Sequence, residues 1–418
     1  MLKSISNNSC LVILIIFTGI SLIFSVEAFF RITIAWAFIT CIILGFREEK
    51  LINPFFCFAF TPLSLLLYTN LGGLYMLELS SSTWQLAIIN ICAFICALYK
   101  TPSFTRYSNC IGISSNQLLI FSAFFFYIVS FIGRFIPQVQ QLFWFLSIAS
   151  IVCAMKTQKK IMLLFCAYVI LSSLLSGHTS KMNVLLQCVT VLISYDKYYA
   201  ATKIDKRKMI VYATLGVVLM FFSFSFANKQ RGQYDADKGL EYYTSAGHIQ
   251  WEYNSSFFMP YMYLSTPWTN LEYITRTQDE RTNGLWTLKP ILGYVGLAKD
   301  YEKEYELKPY SNFNTFTYIA TGFKDFGFWL SIIASLLLGF YVKKIYSRYL
   351  VSKSPFDITS YILVALATIE MFFSNHFFMQ SYPFTCFLVM ELWKFIMSGF
   401  STKIELEELE ELEEVEND

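Results

Sequence analysis

The sequence predicts an all-α polytopic membrane protein with about twelve transmembrane helices and one large extracytoplasmic loop. Three observations carry this. Charged residues make up 15% of the chain, against about 25% in soluble domains. The deficit lies in apolar runs of mostly 16 to 20 residues, about the length a helix needs to cross roughly 30 Å of hydrocarbon. One polar and aromatic stretch, Asn228 to Lys324, interrupts these runs late in the chain.

The first run, about Cys10 to Val26, follows Lys3 and has the look of a signal peptide, with Val26-Glu27-Ala28 as a weak cleavage site. A second run, Phe29–Phe46, follows at once, and removing the first would break the charge pattern described below, so an uncleaved span is expected. Further spans read as Pro54–Leu71, Trp84–Tyr99, Gln117–Gly133, Val139–Met155, Ile161–Ser176, Met182–Tyr195 and Met209–Ala227. Met182–Tyr195 is short for a bilayer and is expected to tilt inward or to be partly re-entrant. After the long loop come Phe326–Val342, Ile358–Phe373 and Tyr382–Ser398. This gives an N-terminal bundle over 1–227, the loop over 228–324, a C-terminal group over 325–400 and a tail over 401–418. The tail is mostly Glu with Leu at intervals and reads as a solvated helix or a disordered segment.

Lys and Arg set the orientation. With the N-terminus inside, nineteen fall on the inner side, from Lys3 to Lys403. The short outer loops hold three, Arg31, Arg134 and Lys181. The ten in the long loop carry no orientation signal, because long loops translocate regardless of charge. Both termini are therefore expected in the cytoplasm, with the long loop outside.

Nine of the ten cysteines sit in or beside apolar runs, and the long loop has none, so disulfides are not what orders it. Cys92 and Cys96 share a helix face but have no third ligand nearby, which favours buried small hydrophobes over a metal pair. His178, His248 and His376 have no metal spacing among themselves, and no phosphate-cradling or dinucleotide glycine pattern occurs. Asp325-Phe326-Gly327 spells the kinase tripeptide without the motifs that accompany it. The net charge of +2 gives no reason to expect nucleic acid.

All three histidines fall at the outer face on this topology, as do Arg134 and Lys181. Outer loops otherwise avoid cations, so these two, with Arg231 directly after a span, are candidates to bind a diphosphate; the alternative is a cation snorkelling from a helix end. The loop carries twelve tyrosines and Trp251, Trp268 and Trp286. Such rings stack on sugar faces while Asn, Gln and carboxylates bind hydroxyls, although an interfacial aromatic belt accounts for many of them equally.

Four segments carry a resemblance. Tyr263-Leu264-Ser265-Thr266-Pro267-Trp268-Thr269-Asn270-Leu271 is followed by Asn283-Gly284-Leu285-Trp286-Thr287-Leu288-Lys289-Pro290. Asn314-Thr315-Phe316-Thr317-Tyr318 comes next, then Lys324-Asp325-Phe326-Gly327 and the span it opens. In this order the chain resembles the Wzy-type oligosaccharide repeat-unit polymerases that build O-antigen, capsule and exopolysaccharide in bacteria. The local likeness covers about Tyr263 to Tyr346 and the general layout covers the whole chain. Members of that family often carry an arginine where this chain has Ser176-Gly177-His178-Thr179-Ser180-Lys181. Lysine there keeps the charge and loses the bidentate fork.

The resemblance implies a membrane-embedded glycosyltransferase of GT-C-like architecture in the bacterial inner membrane, independent of metal and without a cofactor. It would transfer the growing glycan from undecaprenyl diphosphate to the non-reducing end of a new lipid-linked unit. A chain-length regulator (co-polymerase) and a flippase would be partners. An acceptor hydroxyl needs a base and the leaving diphosphate needs cations. His248, Asp325 and His376 are the candidate bases; Arg134, Lys181, Arg231 and Arg276 the diphosphate contacts; Trp251, Trp268, Trp286 and Asn314 the sugar contacts. An O-antigen ligase shares layout and donor, and a flippase or transporter is the reading from another class. Transporters usually show repeats and midplane charges, whereas these spans are mostly clean apart from Glu370 and Glu391.

Overall fold

A computed structural model describes residues 7–48, 50, 52–70, 78–100, 115–133, 135, 140–175, 181–199, 258–277, 281–285, 287–288, 316–374, 377 and 383–397. All regular structure among the described residues is helical. The helices are α1 (Asn7–Phe24), α2 (Glu27–Gly45), α3 (Pro54–Phe58), α4 (Phe60–Asn70), α5 (Ser81–Lys100), α6 (Asn116–Gly133) and α7 (Gln140–Lys156). They continue as α8 (Lys160–Leu175), α9 (Lys181–Tyr198), α10 (Phe258–Thr277), α11 (Tyr318–Val351), α12 (Pro355–Ile369) and α13 (383–397).

Among the described residues five helical segments are long and apolar enough to cross a membrane: Glu27–Gly45, Ser81–Tyr99, Asn116–Gly133, Tyr318–Val351 and Pro355–Phe372. Asn8–Phe24, Pro54–Thr69, Phe145–Lys156 and Lys160–Ser172 are shorter apolar helices. Their outward residues are large and apolar, among them Ile23, Phe121, Leu164 and Leu337. A surface of this kind is suited to lipid. The chain is an all-α protein with the helices of a membrane protein.

Three elements differ from the expectation. The span at Pro54 is two helices meeting at Ala59, with the Asn53 side chain capping the first turn of α3. The span at Phe326 is part of a longer element that breaks at Gly327, where φ 79 and ψ −169 fit glycine alone. Within the expected loop lies α10, packed in the bundle against α4, α5 and α11. Its residues 265–272 are all buried, Trp268 and Leu271 among them, so the helix is enclosed on every side there. The expected span Met209–Ala227, most of the rest of the loop and the acidic tail lie outside the described residues.

The core is α12, whose every residue is buried. It packs against α3, α7, α9 and α11. Beside it, α5 and α11 form a close seam. Asn90 donates to Leu86 O and to Ser331 Oγ (3.3 Å), and accepts from Ser335 Oγ at 2.6 Å. Lower down, a Cβ on Gly339 would lie 2.7 Å from Ala97 Cβ and 2.8 Å from Phe94 O, so only glycine permits this approach.

The end of the bundle at Arg348 is ionic. Asp357, in the first turn of α12, accepts from Arg348 (2.5 Å), Ser352 (2.5 Å) and Lys394 (3.2 Å). Arg348 also reaches Glu391 at 2.6 Å. Lys50 pairs with Asp196 at 2.9 Å and Lys343 with Glu48 at 2.8 Å. Lys197 donates to Tyr349 O at 2.6 Å. These cations were all counted on the inner side in the sequence, and the fold gathers them at one end.

Candidate functional site

The opposite end of α11 is built from polar residues of α5, α10 and the segment 281–288. Glu272 of α10 is buried, and its carboxylate accepts from Arg276 one turn later and from Ser80 N (2.9 Å) and Oγ (3.0 Å) ahead of α5. Arg276 also donates to Glu78 O at 3.0 Å. This ties the end of α10 to the start of α5. Thr83 and Thr275 add a hydroxyl pair across the same junction.

Next comes a tight turn. Asn283 has φ 50 and Gly284 φ 90, and Leu285 N donates to Thr282 O at 3.1 Å. Asn-Gly with two positive φ values is a turn that this pair adopts at little cost. The turn docks on the helix break through backbone bonds. Thr282 N donates to Lys324 O at 3.2 Å and Asn283 N to Asp325 O at 3.1 Å. The Asp325 carboxylate completes the attachment. Oδ1 accepts from Thr282 Oγ1 at 2.5 Å, and Oδ2 accepts from Thr287 N at 2.7 Å and from Thr287 Oγ1 at 2.5 Å.

Arg281 sits on top of the break. Its Nη1 donates to Phe323 O at 3.0 Å and its guanidinium lies 4.4 Å from the Phe323 ring centroid. A Cβ on Gly327 would stand 3.3 Å from Arg281 Nε. Glycine at 327 thus serves twice: it takes the positive φ, and it leaves room for the guanidinium.

The structure describes the side chains of three of the expected site residues. Asp325 is fully buried and bracketed by three donors, which makes it a clamp on the turn in place of an open base. Arg276 pairs with Glu272 and donates to Glu78 O, with half of its side chain exposed. Trp268 is fully buried and donates from Nε1 to Ser64 Oγ at 2.9 Å, so it offers no open face to a sugar. Its ring is instead the pin between α10 and α4. Lys181 opens α9, and its side chain is outside the described residues. His248, His376, Arg134, Arg231, Trp251, Trp286 and Asn314 also lie outside them. Among the described residues no group of three metal-ligating side chains occurs.

Sequence reasoning passed over Arg281. The signal that points to it is Asn283-Gly284, a turn pair two residues on that fixes where the arginine can lie. No protein-family model, no curated protein and no solved structure matches this chain.

Proposed function

We propose that this chain is a membrane glycosyltransferase that polymerises lipid-linked oligosaccharide repeat units in a bacterial inner membrane. It has twelve spans in a GT-C-like arrangement, cytoplasmic termini and its working face outside. The growing glycan leaves an undecaprenyl diphosphate for the non-reducing sugar of a new unit. The observation that carries this reading is the coming together of the motif segments. The Asn283-Gly284 turn and the Asp325–Gly327 break are separate in sequence, yet they are joined through Thr282 and Asp325, and α10, which carries Trp268 and Asn270, packs against the same helix α11. Polar and aromatic groups gathered at one end of an apolar bundle suit a lipid-borne sugar substrate.

Deletion of the gene is expected to leave single repeat units on the lipid carrier or its acceptor, with no long polymer on a polysaccharide gel. Loss of even the single capped unit would point to a ligase or a flippase. Reporter fusions at Gln278 and at Asp418 are expected on opposite sides of the membrane, and the same side for both sinks the topology.

A further inference from the structure

Arg281 and the outward side of α11 take no part in the bonds that hold Glu272 and Asp325. Arg281 is exposed, yet held in place by its bond to Phe323 O and by the Phe323 ring. A long flexible side chain fixed in this way has already lost much of its rotamer entropy, so less remains to be lost when it binds. Its fork has five N–H donors and no acceptor, and one of them is committed to Phe323 O. The chemistry that completes it is an oxyanion, phosphate above all.

Below the break the helix presents Trp329, Ile333, Leu337 and Phe340 at i, i+4, i+8 and i+11. These positions share one face, and they are 76%, 49%, 62% and 41% exposed. The turn carrying Arg281 lies against the break, two residues ahead of this stripe. Phe326 ring atoms stand 3.4 Å from where a Gly284 Cβ would be, and Gly327 abuts Arg281 Nε. A fixed cation thus stands at the break from which the apolar stripe runs.

We propose that Arg281 and the Trp329–Ile333–Leu337–Phe340 stripe are the docking site for a phosphate-headed lipid. The head sits on the guanidinium and the chain lies along the helix. The identity of that lipid as a prenyl diphosphate rests on the polymerase reading; the site itself rests on the geometry.

The test uses the full-length protein in nanodiscs of phosphatidylcholine and measures equilibrium binding of a short-chain prenyl diphosphate. Arg281→Gln is expected to weaken it by roughly ten- to a hundredfold, as loss of a charge-assisted bond to phosphate does. Arg281→Lys is expected to fall between the two and, with an unchanged elution profile, excludes a folding defect. Trp329→Ala is expected to weaken the prenyl diphosphate several-fold and to leave inorganic pyrophosphate unaffected. Equal binding of the prenyl diphosphate by Arg281→Gln and the unmodified protein overturns the site. A matching prenyl alcohol that binds as tightly as the diphosphate does the same. Phosphatidylglycerol that competes on equal terms overturns the prenyl assignment in favour of ordinary anionic lipid. Arg281-dependent binding in a protein whose deletion spares the polymer would sink the polymerase reading and leave the site standing. Loss of polymer without Arg281-dependent binding does the reverse.

Discussion

The two ends of α11 each bury an aspartate, and the two aspartates are treated differently. Asp357 takes Arg348 and Lys394, both cations, along with Ser352. Asp325 takes two threonine hydroxyls and a backbone amide. A buried carboxylate paired with cations is costly to expose, because each partner left behind is a charge out of water. Hydroxyl and amide donors on a carboxylate contribute about 1.5–3 kcal/mol each, yet they leave no charge of their own behind when the carboxylate goes. The ionic end is therefore an anchor for α9, α11, α12 and α13. At the Gly327 end Thr282 and Thr287 hold the Asp325 carboxylate with uncharged donors.

The largest expected effect is at the anchor. Asp357→Ala leaves Lys394 and part of the Arg348 fork without their anion, at a cost of about 3–5 kcal/mol. Little monodisperse protein should survive detergent extraction, and a well-behaved Asp357→Ala variant would break the contrast between the ends. Gly327→Ala comes next. It forces a side chain into a glycine-only conformation, about 1–3 kcal/mol, and pushes a Cβ toward Arg281. The melting temperature in detergent and the polymer yield should both fall. Asp325→Asn should be milder in stability, about 1–2 kcal/mol, because one oxygen survives for Thr282 while an amide N–H confronts Thr287 N–H. Its polymer yield should drop further than its melting temperature, and a proportionate drop would make Asp325 an anchor like Asp357. Trp268→Phe keeps most of the buried ring and loses the bond to Ser64. About 1 kcal/mol is expected, read as a small shift in melting with polymer intact.

Much of the helical framework is legible because apolar length is a local property. The runs beginning near Cys10, Phe29, Trp84, Gln117 and Ile161 coincide with α1, α2, α5, α6 and α8 to within a few residues. What escapes is whatever depends on distant partners. In α10, Ser265, Thr266, Thr269, Asn270 and Glu272 read as loop residues, and they become helical interior because Ser64, Tyr68 and Ser80 lie about 200 residues away in sequence and beside them in space. The break at Gly327 hides in the same way, since glycine within an apolar run marks either a packing contact or a break. Gly339 is the first kind and Gly327 the second, and only the tertiary setting separates them. Asp325 shows the limit for the site: its residue type suits a base as well as a clamp, and Thr282 and Thr287 decide between them.

The seam between α5 and α11 bears on how the protein is made. Asn90 finds Ser331 and Ser335 on a helix that leaves the ribosome more than 200 residues later. Until then its amide waits in the membrane with the Leu86 carbonyl of its own helix, at an energetic cost that polar groups carry in hydrocarbon. The nascent N-terminal half is thus an incomplete assembly whose α5 lacks its neighbour for most of synthesis. A chain cut short before Tyr318 would carry an exposed amide in lipid, the feature by which quality-control machinery can tell an unfinished copy from a finished one.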